Sequence, residues 1–162
     1  MDEKTRFLQL GKYTKNCPEW LLEKVKGIDN SIVDEEYIKK IIRIIDAEFD
    51  PDKYEIYNTN KIRESRLITV NKVLEKRQMS CGALASLVAS ILRNLGVPTK
   101  IIHGRYIENN PEKRHAWNEV LLDNNQWVPF DIKGKKREIN KYYVKELEVV
   151  DWEEIEDRID SI

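Results

Sequence analysis

Three residues of the sequence could together carry out acyl transfer: Cys81, His115 and Asp131. A cysteine attacks a carbonyl as the thiolate, and it needs a neighbouring base to take its proton. The imidazole of histidine has a matching pKa, and its second ring nitrogen is usually held by a carboxylate or an amide. In chain order, these residues therefore offer a nucleophile, a base and a group that orients the base.

Cys81 occupies the first position of a predicted helix that runs up to Gly96. Ser80 can cap its start, Gly96 can adopt the left-handed conformation at its end, and Pro98 prevents its continuation. Small or apolar residues fill most positions between, which predicts burial on most sides. A sulfur at this end faces the positive pole of the helix dipole, and this favours the thiolate. From this helix alone, Cys81 could equally be a small core residue.

The relative positions of His115 and Asp131 depend on a predicted hairpin, whose turn signal is Asp123-Asn124-Asn125. A two-residue turn on Asn124-Asn125 would put Asp131 opposite Asn118, on the wrong face of the sheet. Pairing Asp131 directly with His115 requires a connection centred on Asp123. The sequence therefore predicts an odd-length loop around Asp123, or a bulge in the hairpin.

Helical patterns precede strand patterns along the chain. Helices are predicted to begin at Asn16 or Cys17, at Asp34, and at Asn58 or Thr59, the last running to about Lys76; strands are predicted over residues 99–107, 115–122, 126–132 and 141–149. Residues 1–15 form a loosely ordered or docking arm. This order predicts one α+β domain over residues 1–162, with a helical part over about 16–96, an antiparallel sheet part over about 97–150 and a short C-terminal helix over about 152–160.

The composition excludes some classes of partner. The 28 basic and 29 acidic side chains leave a net charge of −1, so the chain has no overall positive field for nucleic acid or a membrane surface. No apolar run approaches the length of a membrane span, and the charged N-terminus lacks a secretion-type apolar segment. We therefore expect Cys17 and Cys81 to be free thiols in a reducing, cytoplasmic setting.

His103 is the second histidine of the chain. Cys81, His103, His115 and an aspartate could form a zinc site, but no Cys-x-x-Cys or His-x-x-x-His spacing supports one. We therefore predict no metal and no other cofactor. Trp117 lies two residues after His115 and shares its strand face, where it could wall a cleft or serve as a core tryptophan.

Three segments in the right order resemble the core of the transglutaminase-like superfamily. They are Ser-Cys-Gly-Ala-Leu-Ala-Ser-Leu-Val-Ala-Ser-Ile-Leu-Arg-Asn-Leu-Gly-Val-Pro-Thr-Lys, His-Ala-Trp-Asn-Glu-Val and Trp-Val-Pro-Phe-Asp, within residues 78–133. The resemblance implies a papain-like fold and a triad in which Cys81 is the nucleophile, His115 the base and Asp131 the orienting residue. Cysteine peptidases, amidases, peptide-deglycosylating enzymes and protein cross-linking transglutaminases are the activities that it implies.

The resemblance also implies a second oxyanion donor upstream of the cysteine, often a tryptophan or a glutamine. Gln78, Trp20, Tyr54 and Tyr57 are candidates. Gly82, directly after the nucleophile, is a further candidate for oxyanion or substrate contact, as are Gln78 and Trp117. Gly82-Ala83 stand where many members carry an acidic or small polar residue, so the substrate contacts there are expected to differ.

The sequence favours a cysteine peptidase or amidase that hydrolyses a peptide or carboxamide through a cysteinyl thioester. Its partner would then be a protein or peptide substrate. Hydrolysis is favoured because the small domain carries no visible amine-binding module. A protein-glutamine transglutaminase, in which an amine opens the thioester, is one alternative. A transglutaminase-like domain that serves as a non-catalytic binding module is the other. The sequence does not indicate the oligomeric state.

Overall fold

The computed structural model describes residues 1–50, 52–56, 61–108, 113–132 and 141–162. Within these ranges the helices are α1 (Glu3–Arg6), α2 (Glu19–Lys26), α3 (Glu35–Glu48), α4 (Ile62–Arg66), α5 (Val70–Lys76) and α6 (Cys81–Asn94), and a 3₁₀-helix covers Trp152–Ser161. The strands are β1 (Glu55–Ile56), β2 (Gln78–Met79), β3 (Thr99–Tyr106), β4 (Lys113–Leu121), β5 (Trp127–Phe130) and β6 (Tyr143–Val149). The predicted C-terminal helix is therefore present, as a 3₁₀-helix. None of the helices described combines the length and hydrophobicity that a membrane crossing requires.

The main sheet has the strand order β5-β4-β3-β6, and all its neighbouring strands are antiparallel. β1 and β2 form a separate parallel pair. The predicted α+β fold with an antiparallel sheet is confirmed. Because β6 pairs with β3, β5 and β6 form opposite edges of the sheet.

Helix α6 is the central helix, and both of its ends are as the sequence predicts. The hydroxyl of Ser80 accepts a hydrogen bond from the Ala83 amide at 3.2 Å, which caps the first turn. Gly96 has φ of 82°, the left-handed conformation that favours glycine. Residues 82–93 are all buried, since α2, α3 and α5 pack on one side of the helix and the main sheet packs on the other.

The N-terminal arm is docked on the domain. Phe7 is buried, and its carbonyl accepts a hydrogen bond from the Thr99 amide at 3.0 Å, at the start of β3. Further along, the buried carboxylate of Asp151 accepts from the Tyr13 amide at 3.0 Å and from the Thr14 hydroxyl at 2.8 Å. The arm thus joins β3 to the C-terminal 3₁₀-helix.

The prediction of one continuous helix from Asn58 or Thr59 to Lys76 is wrong, because the helix is interrupted. The described part consists of two helices, α4 and α5, separated at residues 67–69. Thr69 caps α5 by accepting from the Lys72 amide at 3.2 Å, so it begins a new helix. As a result, α4 ends beside the start of α6. Residues 57–60, which include Tyr57 and the predicted helix start, lie outside the described residues.

The β4–β5 hairpin has the odd-length loop that the sequence predicts. A three-residue loop over 123–125 is closed by hydrogen bonds between Leu122 and Gln126 and between Asn125 and Leu122. Asn125 has φ of 66°, which is typical of such loops. The loop is centred on Asn124, however, and Asn118 pairs with Phe130. Continuing this register places Asp131 level with Trp117, so Asp131 lies diagonal to His115 on the same face.

Candidate active site

Cys81 is the first residue of α6 and is half-buried. The end of α4 packs against its sulfur: Nη1 of Arg66 lies 3.4 Å from Sγ, and Oγ of Ser65 lies 3.7 Å from it. The Gly82 amide donates to the same Ser65 hydroxyl at 3.4 Å. Because the first-turn amides of a helix have no intrahelical acceptor, the sulfur lies in a positively polarised environment.

His115 lies between the sulfur and a buried carboxylate. Its Nε2 is 2.8 Å from Oδ2 of Asp131, and the Asp131 side chain is only 2% exposed. The Cys81 thiol is the second hydrogen-bond partner of the ring. Burial acts to lower the pKa of His115, but the hydrogen bonds and charges of Asp131 and Cys81 outweigh it and raise the pKa to about 9. The structure therefore brings Cys81, His115 and Asp131 together in a row.

Tyr143 belongs to this group, although no role was predicted for it from the sequence. Its hydroxyl donates to Oδ2 of Asp131 at 2.6 Å, so that oxygen is shared by the phenol and the imidazole. Burial, followed by the hydrogen bond to Asp131, raises the pKa of Tyr143 well above its usual value. Tyr143 thus holds the carboxylate from the strand at the far edge of the sheet.

Trp117 packs across the same face of the sheet. It is buried, its ring centroid lies 6.0 Å from that of His115, and it meets Tyr143 edge-on at 5.3 Å. Gly104 makes this packing possible, because a Cβ there would lie 2.6 Å from the Trp117 ring and even closer to the Val144 carbonyl. Trp117 is thus buried against His115 and Tyr143, and it also lines the pocket beside Cys81.

Arg66 and His103 form a second buried pair beside the sulfur. Nη2 of Arg66 lies 3.2 Å from Nδ1 of His103, and the guanidinium carbon is 5.1 Å from the centroid of the Trp152 ring. Since arginine can only donate, Nδ1 must accept, and His103 is neutral. Burial, then the charges of Arg66 and Arg114, lower the pKa of His103 to about 4. No sequence pattern singles out Arg66, which looks like an ordinary surface arginine.

The other candidates have defined positions. Gln78 is on β2, where its amide donates to Glu55 at 3.2 Å. Trp20 is 45% exposed and stacks under Lys24, and Tyr54 is buried. Gly82 is beside the sulfur, as its sequence position requires.

Gly82 lies where α4 and α6 come into closest contact. A Cβ there would meet the Ser65 carbonyl oxygen at 2.4 Å and Cδ of Arg66 at 2.7 Å. The carbonyl of Gly82 also accepts from Nε1 of Trp152 at 3.1 Å. Glycine is therefore required here by the close approach of a neighbouring backbone.

A Gly82→Ala variant is expected to be destabilised by about 1–3 kcal/mol, the usual cost of overpacking a tight contact. Because the added methyl group pushes Ser65 and Arg66 away from α6, the reactivity of Cys81 should change as well. Urea unfolding measures the first effect and thiol alkylation the second. Gly27→Ala is the matched control, since nothing lies within 4 Å of its Cβ position. Equal stability of the two variants would contradict this account.

The surroundings of Cys81 limit what the site can hold. No group of three His, Cys, Asp or Glu side chains in the described parts of the chain could hold a metal ion. A small pocket adjoins Cys81, and its other lining residues are Leu84, Ala85, Val88, Ala116, Trp117, Asn118, Asp131 and Ile132.

A cysteine at the start of a central helix, facing a histidine and an aspartate on an antiparallel sheet, defines the papain-like class of thiol sites. Residues 23–132, which contain all three residues, match the transglutaminase-like superfamily core. The chain belongs to this superfamily. At the level of the superfamily, this membership supports a cysteine-dependent enzyme. The family resemblance and the papain-like fold expected from the sequence are confirmed.

Two solved structures have a similar fold. One is a proposed cysteine protease from Cytophaga hutchinsonii, with a TM-score of 0.68 and 18% identity over 98% of this chain and 50% of that one. The other is the periplasmic domain of TgpA from Pseudomonas aeruginosa, with a TM-score of 0.53 and 17% identity over 99% of this chain and 51% of that one. This chain thus spans about half the length of each. No curated protein matches the chain.

Proposed function

We propose that this chain is a cysteine-dependent hydrolase of peptide or carboxamide bonds. The observation that carries the proposal is the position of His115, which is hydrogen-bonded to the Asp131 carboxylate at 2.8 Å on one side and to the Cys81 thiol on the other. This is the arrangement that an activated thiol nucleophile requires. The superfamily assignment supports the same conclusion.

In the first step, the Cys81 thiolate attacks the substrate carbonyl carbon, and the carbonyl electron pair moves onto its oxygen. The Cys81 amide at the start of α6 would donate to this oxyanion, whereas the amides of Gly82 and Ala83 already donate to the hydroxyls of Ser65 and Ser80. The C–N bond then breaks, and the leaving nitrogen takes a proton from the His115 imidazolium. The products of this half-reaction are a thioester on Cys81, a free amine and a neutral imidazole.

In the second step, His115 takes a proton from water as the water oxygen attacks the thioester carbonyl. The C–S bond breaks, the acid product leaves, and the thiolate–imidazolium pair is restored. Asp131 stabilises the imidazolium each time it forms, and Tyr143 holds Asp131 in place through their 2.6 Å bond. If an amine attacked instead of water, the same site would act as a transglutaminase.

Mass spectrometry of the acyl-enzyme tests the proposal. Peptide ester and carboxamide substrates are mixed with the protein, the reaction is quenched in acid, and the intact mass is measured with and without added cadaverine. We expect a thioester on Cys81 and an acid product, with Cys17→Ser as the matched control that keeps both. A cadaverine conjugate as the main product would favour the transglutaminase. No adduct, together with alkylation of Cys81 as slow as that of Cys17, would favour the binding module.

Cys17 is a suitable internal reference for these experiments. Burial raises the pKa of the Cys17 thiol to about 11, so it is protonated at neutral pH. Both cysteines are free in the structure.

Because free thiols are typical of reducing compartments, we propose that the protein works in a reducing, cytoplasmic setting. We also propose that it acts on protein or peptide substrates, without nucleic-acid or membrane partners. Subcellular fractionation would test the location.

The pH dependence of turnover should have an alkaline limb near pH 9. The pKa of His115 is raised from 6.5 to about 9. The imidazolium, and the stability that its contacts contribute, are therefore fully present below about pH 6.5 and lost as the pH rises through 9. An NMR titration of the ring nitrogens measures this directly. A Cys81→Ala variant should titrate at lower pH, because it lacks one of the two groups that raise the pKa. A wild-type value close to 6.5 would contradict the arrangement.

A further inference from the structure

Arg66 is a buried cation without a nearby carboxylate. Its side chain is 2% exposed, and no carboxylate in the described residues forms a salt bridge with it. Nη1 instead contacts Sγ of Cys81 at 3.4 Å and Oγ of Ser65 at 2.7 Å. Burying an unpaired charge is costly, and a guanidinium cannot escape that cost by losing its proton. The sulfur at 81 is therefore the available counter-charge.

Neutral groups fix the guanidinium in this position. His103 accepts from Nη2 at 3.2 Å, and the Trp152 ring lies against the guanidinium at 5.1 Å. Because His103 is neutral, it adds no competing charge. Trp152 also holds the first turn of α6, by donating to the Gly82 carbonyl at 3.1 Å. The guanidinium and the sulfur are thus held by the same supports.

We infer that Arg66 is a second and permanently charged stabiliser of the Cys81 thiolate, so that the thiolate persists when His115 is neutral or absent. This inference deepens the proposed function, and the role of the thiolate in catalysis rests on that function. The groups that face the sulfur are Arg66 and Ser65 from α4 and His115 from β4. Asp131 lies behind His115, and Arg114 acts on Arg66 through its charge. Among the described residues, the cations beside the sulfur are His115, whose pKa is raised to about 9, and Arg66, whose guanidinium stays charged although burial lowers its pKa.

The two cations would then have separate tasks. His115 delivers a proton to the leaving nitrogen and removes one from water, and no other described side chain in contact with Cys81 titrates in the right range. Arg66 keeps the sulfur charged between these steps. In a site without Arg66, removing the imidazole would leave only the start of α6 to lower the thiol pKa from its ordinary value of about 8.5, so the contribution of Arg66 itself is read from the Arg66→Gln variant.

The test is the rate of iodoacetamide alkylation at Cys81 between pH 4 and pH 11, measured by peptide mass spectrometry. The proteins are the wild type, His115→Ala, Arg66→Gln, Arg66→Lys and the control Arg63→Gln. Arg63 is an exposed arginine on α4 that pairs with Asp160 at 3.0 Å. Native-state alkylation of half-buried Cys17, whose thiol pKa is raised to about 11, should stay slow in every folded variant and so reports on folding in the same samples.

We expect the alkylation midpoint of His115→Ala to stay at least one pH unit below 8.5, equivalent to about tenfold faster labelling at acidic pH than for an ordinary thiol. Arg66→Gln should raise the midpoint by at least one unit relative to the wild type, while rates at pH 11 converge. Arg66→Lys should fall between them, because lysine keeps the charge but not the planar donor pair. Arg63→Gln should match the wild type.

A His115→Ala midpoint at or above 8.5 would overturn the inference, and this outcome does not depend on the folding of any Arg66 variant. An Arg66→Gln variant that stays folded and keeps the wild-type midpoint would overturn it as well, and would leave Arg66 a structural role only. The proposed hydrolase can fail independently: an acid-shifted midpoint in His115→Ala without thioester formation in the wild type would refute the enzyme and retain the role of Arg66.

Discussion

A His115→Ala variant is expected to lose hydrolysis of peptide or carboxamide substrates by a factor of at least about 10²–10⁴, the contribution of a positioned acid–base group. The loss should be in kcat as well as in kcat/KM, because His115 supplies the proton for the leaving nitrogen. Cys81→Ala should lose the thioester altogether. Steady-state kinetics and intact mass measure these two effects.

The comparison of the two variants separates the role of the imidazole from that of the nucleophile. His115→Ala keeps its nucleophile and should still accept acyl groups slowly from activated esters, whose leaving groups need no proton. Cys81→Ala should accept none. Retention of more than a third of wild-type turnover on a carboxamide by His115→Ala would contradict the assignment of the imidazole.

An Asp131→Asn variant is expected to lose about 10²–10⁴ in kcat, since the corresponding change in a serine protease triad costs about 10⁴. The carboxylate accepts both the His115 Nε2–H and the Tyr143 hydroxyl on Oδ2. A neutral amide removes the charge that stabilises the imidazolium, and the pKa of His115 should fall below about 9. Kinetics together with an NMR titration of His115 would measure both.

Tyr143→Phe provides the matched control for Asp131→Asn. It removes one hydrogen bond to the same oxygen and leaves the charge, so we expect a loss of roughly ten- to hundredfold, in keeping with about 1.5–3 kcal/mol for a hydrogen bond to a charged group. If Asp131→Asn were no slower than Tyr143→Phe, the carboxylate charge would have no catalytic part. If both were as active as the wild type, His115 would need another orienting group.

The elements that position Cys81 could be predicted because their limits are set locally. Ser80 and Gly96 mark the ends of α6 by side-chain chemistry and backbone conformation, and the turn residues 123–125 mark the hairpin. The break after α4 could not be predicted in this way. Apolar spacing continues through Leu67 and Ile68, and only tertiary packing decides that Thr69 begins a new helix.

The surroundings of the three predicted site residues could not be predicted for a related reason. Arg66 is buried only because α6, β3 and the C-terminal 3₁₀-helix meet around it, and no local pattern records such a meeting. Tyr143 was placed in a strand, but its contact with Asp131 depends on β6 lying beside β3. The order of strands in a sheet cannot be predicted from the pattern of exposed and buried residues along a single strand.

The three-residue loop at 123–125 has a consequence for how this protein can vary. Successive strand residues point to opposite sides, so adding or removing one residue in the loop would turn Asp131 away from the imidazole unless a bulge compensated. Adding or removing two would preserve the side on which it points. Among homologous sequences that retain activity, the length of this connection should therefore differ by even numbers of residues. An engineered insertion of one residue should abolish the proposed hydrolysis while leaving the fold intact.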